Sequence, residues 1–229
     1  QEVKAKLSEA LQGNLPGANA PESKSGDLAS EEVVRHSLNL LSKKKIGAIG
    51  EAPNGFTPCL YDPKQLEKIF GIEVTNIPIS NAFDRIDAVS VGEQEGSYQV
   101  ALAQQPSLAN VDVAQAKKVS AAEVAFDKWR HEAKLDAIAV RCWPEFPTEL
   151  GACVCSSLGR ISDRGTVTTC ERDVLGAVTM LVCEALGSDQ NYLVDIVDLD
   201  ANQNLIRLWH CGSAATKLRS EEHTSELQS

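Results

Sequence analysis

The chain has no Cys-x-x-Cys pair, no apolar run of membrane-spanning length, no complete nucleotide-binding glycine fingerprint and a shortage of positive charge. The missing cysteine pair argues against a zinc knuckle. The missing apolar run argues against a transmembrane helix, which needs about 20 such residues. Lys45-Ile-Gly-Ala-Ile-Gly-Glu51 carries glycines but fits neither G-x-G-x-x-G nor the Walker pattern, so a nucleotide site is not expected. Lysine and arginine total 22 against 32 acidic residues, a net charge of -10. That balance points away from nucleic acid and from anionic membranes as partners. No basic, apolar leader is visible, so a cytoplasmic protein is expected.

What is present is enough for a packed core. Hydrophobic residues make up 43% of 229 positions, a globular composition. The seven cysteines are odd in number and lie mostly in apolar runs. They read as small buried hydrophobes in a reducing compartment rather than as a disulfide framework. Cys153-Val-Cys155 reads the same way, as thiols on a helix.

Residues 1–31 are polar and broken by Gly and Pro, predicting a short helix and a loop. Ser30-Glu-Glu predicts a helix start, with Val33, Val34, Leu38, Leu40 and Leu41 as its apolar stripe and Lys43-Lys-Lys45 at its negative end. A strand follows over 45–51, and Asn54–Tyr61 reads as a loop whose backbone and side chains meet a substrate. Asp62 and Pro63 predict the cap and first position of a helix that Gly71 stops. The strand at 72–79 contains Pro78, which places it near a sheet edge. Residues 81–109 give a mixed pattern. A helix is predicted over 113–134, with His131 on its surface, and another over Thr148–Leu158 with Thr148 as cap. The 174–186 run is apolar nearly all round, which predicts burial on more than one side. A strand over 192–199, a turn at 200–204 and a strand from Asn204 complete the pattern. Strands alternating with helices predict an α/β sheet.

Three apolar runs end in groups that suit a hard metal ion: Glu145, Asp173 and His210. Each run has the length of a buried strand. Ligands in open α/β sheets sit beyond the carboxyl ends of strands. Carboxylates with one imidazole suit Mn2+ or Mg2+. Each residue alone has a plainer reading. Asp173 would cap the helix starting at Val174, Glu145 would be a cap or a solvated acid, and His210 a hydrogen-bonded structural residue. Trp143 and Trp209 flank the ligands and read equally as pocket wall or as core.

Cys142-Trp-Pro-Glu-Phe, Cys170-Glu-Arg-Asp-Val-Leu-Gly-Ala-Val-Thr-Met180 and His210-Cys-Gly-Ser-Ala resemble the L-fucose isomerase / L-arabinose isomerase superfamily, in its fucose-isomerase-like branch. Ile46-Gly-Ala-Ile-Gly-Glu-Ala-Pro-Asn-Gly-Phe56 adds to the resemblance, which spans about residues 33–218. It implies Rossmann-like parallel sheets with flanking helices, truncated at both ends. It implies a metal-dependent aldose–ketose isomerase acting on an L-fucose- or arabinose-like sugar through an ene-diol. The cofactor would be Mn2+ or another divalent cation such as Mg2+, and the full-length protein a homo-oligomer, trimer or hexamer. Glu145 and Asp173 would be metal ligands and candidate acid/base groups, with Glu149 and Glu171 as the competing positions. His210 would be the third ligand, and Trp143 and Trp209 would face the sugar. A sugar-binding or regulatory protein that keeps this fold without turnover is the alternative.

The resemblance divides the chain into a remnant of a preceding domain and linker (1–32), a central α/β region (33–218) and a tail. The tail, Arg219–Ser229, resembles a translated sequencing-library adapter, which makes the chain an expected fragment. A fragment lacking a neighbouring domain is expected to expose apolar surface and to be poorly soluble.

Overall fold

The computed structural model describes residues 31–218. The expected N-terminal helix and loop, the Ser30 cap and the adapter-like tail lie outside these residues. Among the described residues the chain divides into two compact bodies. One holds residues 36–193 and the segment from Cys211. The other holds 31–35 and 194–210.

The larger body is a parallel α/β sheet. Helix α1 (Glu31–Leu41) leads to β1 (Lys45–Ile49), helix α2 (Pro63–Phe70) and β2 (Glu73–Ile77). Helices α3 (Ile79–Asp87), α4 (Val91–Gln104) and α5 (Val113–Ala133) follow, then β3 (Ala137–Val140), α6 (Cys155–Ser162), β4 (Val167–Thr169) and α7 (Val174–Ala185). The four strands run in the order β2-β1-β3-β4, all parallel. The edge position expected for the Pro78 strand is the one β2 occupies. β1, β3 and β4 are almost wholly buried, as strands covered on both faces must be.

Local signals explain the boundaries. Asp62 accepts backbone N–H bonds from Lys64 and Gln65, Pro63 opens α2, and Gly71 closes it at φ 68°. The mixed stretch resolves into α3 and α4. The start of α4 is a capping box in which Ser90 and Glu93 exchange hydrogen bonds. The spacing Ser90-x-x-Glu93 is a legible signal that the mixed reading passed over. On α5, Ala121, Ala122 and Ala125 let Phe126 and Trp129 approach the sheet, where they pack with Ile138, Val140 and Leu158. The opposite face of the sheet is covered by α7, whose Val174, Ala177, Val178 and Leu181 meet Ile46, Ala48 and Ala139.

Several expectations need correction. The stripe predicted on α1 is mostly exposed: Val33, Val34, Leu38 and Leu40 are open and Leu41 is buried. Helix α7 is buried on more than one side, as expected, through Val174, Ala177, Val178 and Leu181 and also Gly176 and Met180, while Leu175 is exposed. Thr148 does not cap a helix. Its hydroxyl donates back to the Pro144 carbonyl at 2.9 Å, within a wide turn over Phe146–Leu150 that Gly151 ends at φ 75°. The helix begins at Cys155, seven residues late. The last two strands, β5 (Asp195–Asp200) and β6 (Leu205–Trp209), do not join the parallel sheet. They form an antiparallel hairpin of their own. The connection of four residues is far shorter than the dozen or more that a parallel crossover needs. All five residues of β6 are exposed, against the buried strand expected there. Ile196, Leu205, Leu208 and Trp209 are among the exposed side chains of this hairpin. No helix among the described residues is long and apolar enough to cross a membrane.

Candidate active site at the carboxyl edge of the sheet

From β1 the chain runs outward to β2 on one side, and β3 and β4 build the sheet on the other. The reversal between β1 and β3 opens a crevice at their carboxyl ends, where α/β sheets take ligands. Loop 50–56 lies on one side of it and loop 141–145 on the other.

Arg141 crosses this crevice. Its Nη1 donates to the carbonyls of Glu51 at 3.2 Å and Ala52 at 3.4 Å. Its other nitrogens clamp Glu145, Nε to Oε2 at 2.8 Å and Nη2 to Oε1 at 2.6 Å. The pair is four residues apart in sequence, and the planar guanidinium matches both carboxylate oxygens. Gly50, at φ 76°, makes room for it: a Cβ there would stand 3.1 Å from both Cβ and Cδ of Arg141. Trp143 is 51% exposed, and its ring centroid lies 6.3 Å from that of Phe56 across the crevice. An open aromatic pair of this kind can stack on an apolar sugar face.

Beyond β4, Glu171 and Arg172 both adopt left-handed backbone conformations, at φ 50° and 59°. The turn swings Arg172 back over the sheet, and its N–H bonds the Val140 carbonyl at 2.9 Å. The buried guanidinium donates to Asn76 Oδ1 at 2.8 Å and lies 5.2 Å from the Tyr61 ring centroid. The carboxylate it pairs with, Glu51, is 3.8 Å away and 86% exposed. Nε of Arg172 is buried without a hydrogen-bond partner. The same guanidinium also lies 3.5 Å from the Tyr61 hydroxyl.

Asp173 is the N-cap of α7, as its plainer reading expects: Oδ1 accepts from Gly176 N–H at 2.7 Å. Gly176 is required there, because a Cβ would come within 2.6 Å of Asp173 Oδ2. Cys59 sits near the same acids. Burial, then the negative charges of Asp173 and Glu171, push its thiol up to about 11. Glu149, the competing first position, is exposed. His210 and Trp209 belong to the hairpin body, His210 directly after β6 and Trp209 at its end.

A hard divalent ion does not find a ready cage in these carboxylates. Both oxygens of Glu145 are committed to Arg141, and one oxygen of Asp173 to the helix N-terminus. Neither residue belongs to the groups of three or more ligand atoms that converge within 4.8 Å among the described residues. The donors that do converge in the larger body are sulfurs, joined by the Glu171 carboxylate.

Arg141, Arg172 and Asn76 are absent from the site that the sequence suggests, whereas Phe56 falls in the 54–61 loop expected to meet a substrate. Arg141 has a signal, its spacing of four from Glu145. Arg172 stands inside the Cys170-Glu-Arg-Asp motif between two acids, but only the fold shows it buried.

The chain matches no protein-family model. It is similar to curated sulfoquinovose isomerases. That of Alkalicoccus urumqiensis is 34% identical over 190 residues, which is 82% of this chain and 42% of that protein. That of Priestia megaterium is 32% identical over 183 residues, 79% of this chain and 41% of that protein. That of a Clostridium species is 32% identical over 188 residues, 81% and 41%. The chain therefore spans about two fifths of the length of these relatives.

Proposed function

We propose that this chain is part of an aldose–ketose isomerase whose sugar carries a sulfonate, with sulfoquinovose as the first substrate to test. Similarity over about four fifths of the chain to proteins named for that isomerisation supports the class. Arg172 carries the choice of an anionic sugar over the neutral L-fucose or arabinose type. A buried guanidinium at the carboxyl edge of the sheet, with an unpartnered Nε and an exposed carboxylate 3.8 Å away, gains from an anionic ligand group. The parallel sheet, with ligands at its reversal, serves as one Rossmann-like half of the enzyme.

Moving a carbonyl between C1 and C2 through an ene-diol needs a group that takes a proton from one carbon and returns it to the next. Glu145 and Asp173 are the proposed acid/base pair. Asp173 has one oxygen not bound by Gly176 N–H, and Glu145 becomes available when Arg141 releases it. Trp143 and Phe56 would hold the ring or chain of the sugar and shed water from it. A hard divalent ion such as Mn2+ is left out of these steps, because Arg141 holds both oxygens of Glu145 and the N-terminus of α7 holds one of Asp173. Assembly into a homo-oligomer is proposed for the whole protein.

The test uses the gene recovered to its full extent. The purified protein is incubated with sulfoquinovose, L-fucose, L-arabinose and glucose, with Mn2+ or chelator, and ketose formation is followed. Ketose from sulfoquinovose, strongly reduced by Asp173→Asn or Glu145→Gln, is the expected result. Sugar binding without ketose and without proton exchange at C2 would instead establish a non-catalytic binding protein.

A further inference from the structure

Four sulfurs meet beneath the carboxyl edge of the larger body. Cys142 follows β3, Cys155 opens α6, Cys170 follows β4, and Cys211 begins the segment with which this body resumes after the hairpin. That segment is seated firmly. Thr216 and the backbone of Lys217 bond Asp163 at the end of α6, and Gly159 admits the Ala214 carbonyl where a Cβ would stand 2.3 Å from it. None of the seven cysteines forms a disulfide.

The separations among Cys155, Cys170 and Cys211 are those of a coordination shell. Sγ of Cys155 lies 3.6 Å from Cys170 and 3.3 Å from Cys211, and Cys170 lies 3.9 Å from Cys211. Cys142 lies within 4.8 Å of both Cys155 and Cys170. An ion bound tetrahedrally by sulfur at about 2.3 Å places its ligand sulfurs about 3.8 Å apart. We propose that Cys142, Cys155, Cys170 and Cys211 form a thiolate site for a soft divalent ion of the zinc class.

Soft sulfur donors select such an ion over Mn2+ or Mg2+. Each thiol gives its proton to solvent on binding, so a dication and four thiols yield a complex of charge -2 and four protons. Three of the thiols are buried, and Cys211 is exposed, which gives the ion a way in. The Glu171 carboxylate, within 4.8 Å of the Cys170 and Cys211 sulfurs, is a rival for one position.

The site has a structural consequence for the candidate acids. Cys142 precedes Glu145 by three residues, Cys170 precedes Asp173 by three, and Cys211 follows His210 directly. One ion would brace the two loops that carry Glu145 and Asp173.

The test is spectroscopic and needs no substrate. The purified chain is freed of metal under reducing conditions and titrated with Co2+. One equivalent giving strong thiolate-to-cobalt charge-transfer bands with tetrahedral ligand-field bands is expected, displaced by Zn2+. The signal should vanish in Cys155→Ser and Cys170→Ser and persist in Cys183→Ser, Glu145→Gln and Asp173→Asn. In the unaltered protein, Zn2+ should protect four thiols from a thiol reagent, a reading that does not depend on any variant folding. Cobalt bands without charge transfer, unprotected thiols, or a mass two hydrogens lower from a disulfide would each overturn the assignment. Because activity is not read, failure here is separable from failure of the isomerase reading.

Discussion

Arg172→Met removes a charge while keeping most of the side chain's length. The guanidinium is 7% exposed. Its charged hydrogen bond to Asn76 contributes about 1.5–3 kcal/mol. Its stacking on Tyr61 contributes about 1 kcal/mol, and the pair with the exposed Glu51 at most about 1 kcal/mol. Against these stand several kcal/mol for taking the cation out of water and about 1–3 kcal/mol for the unpartnered Nε. The terms nearly cancel, so Arg172→Met should change stability by no more than about 1 kcal/mol, or raise it by up to about 2 kcal/mol, as replacing buried ions by hydrophobes often does. Affinity of the whole protein for a sulfonated sugar should fall by at least tenfold, while affinity for a neutral analogue should hold. Urea midpoints at constant m give the first quantity, and calorimetric titration with the two sugars gives the second. A loss of stability beyond about 2 kcal/mol would show the cation to be a structural member of the fold and would refute the reasoning.

Glu123 is buried and held at 2.6 Å by both Arg160 and Arg164, whose side chains are 11% and 41% exposed. Glu123→Gln strands the buried Arg160 and should cost about 3–5 kcal/mol in urea unfolding, whereas Arg164→Ala should cost less than about 1 kcal/mol; equal effects would sink this ranking. Gly47→Ala would put a Cβ 2.4 Å from Leu135 Cδ1 and 2.6 Å from the Trp129 ring, so a destabilisation of about 1–3 kcal/mol is expected from thermal or urea melts. The Cys59 thiol is raised from 9.0 to about 11 by burial and neighbouring acids. A raised folded-state value gives stability that is complete below pH 9 and is lost as pH climbs towards 11. Unfolding curves across that window should show a loss that Cys59→Ser reduces; an unchanged slope would remove Cys59 as its source.

The periodic parts of the chain were legible because local and tertiary preferences agree. Asp62-Pro63 at one end and Gly71 at the other bracket α2 in sequence and in space. The apolar run at Ala137–Val140 reads as a buried strand and is one. Where the reading failed, a side chain had two possible partners. Thr148 was expected to cap forward and instead bonds back to Pro144. Leu205–Trp209 has the composition of a buried strand, but its short turn pairs it with β5 alone. Candidate acids could be named from the ends of apolar runs. Arg141, the partner of Glu145, had a local signal four residues away, but the partners of Arg172, Asn76 and Tyr61, come near only once the sheet forms. The thiol cluster was illegible for a related reason. Its four members are 13, 15 and 41 residues apart in succession, spacings that no local rule connects.

The Arg141 strap also bears on how fast a ligand can enter. The same guanidinium bonds two carbonyls on one lip of the crevice and a carboxylate on the other. A ligand that needs Glu145 must wait for that strap to let go, and the release is a unimolecular event that ligand concentration cannot hasten. Observed binding rates should therefore climb with concentration and then level off at the opening rate, so the crevice sets a clock as well as a shape.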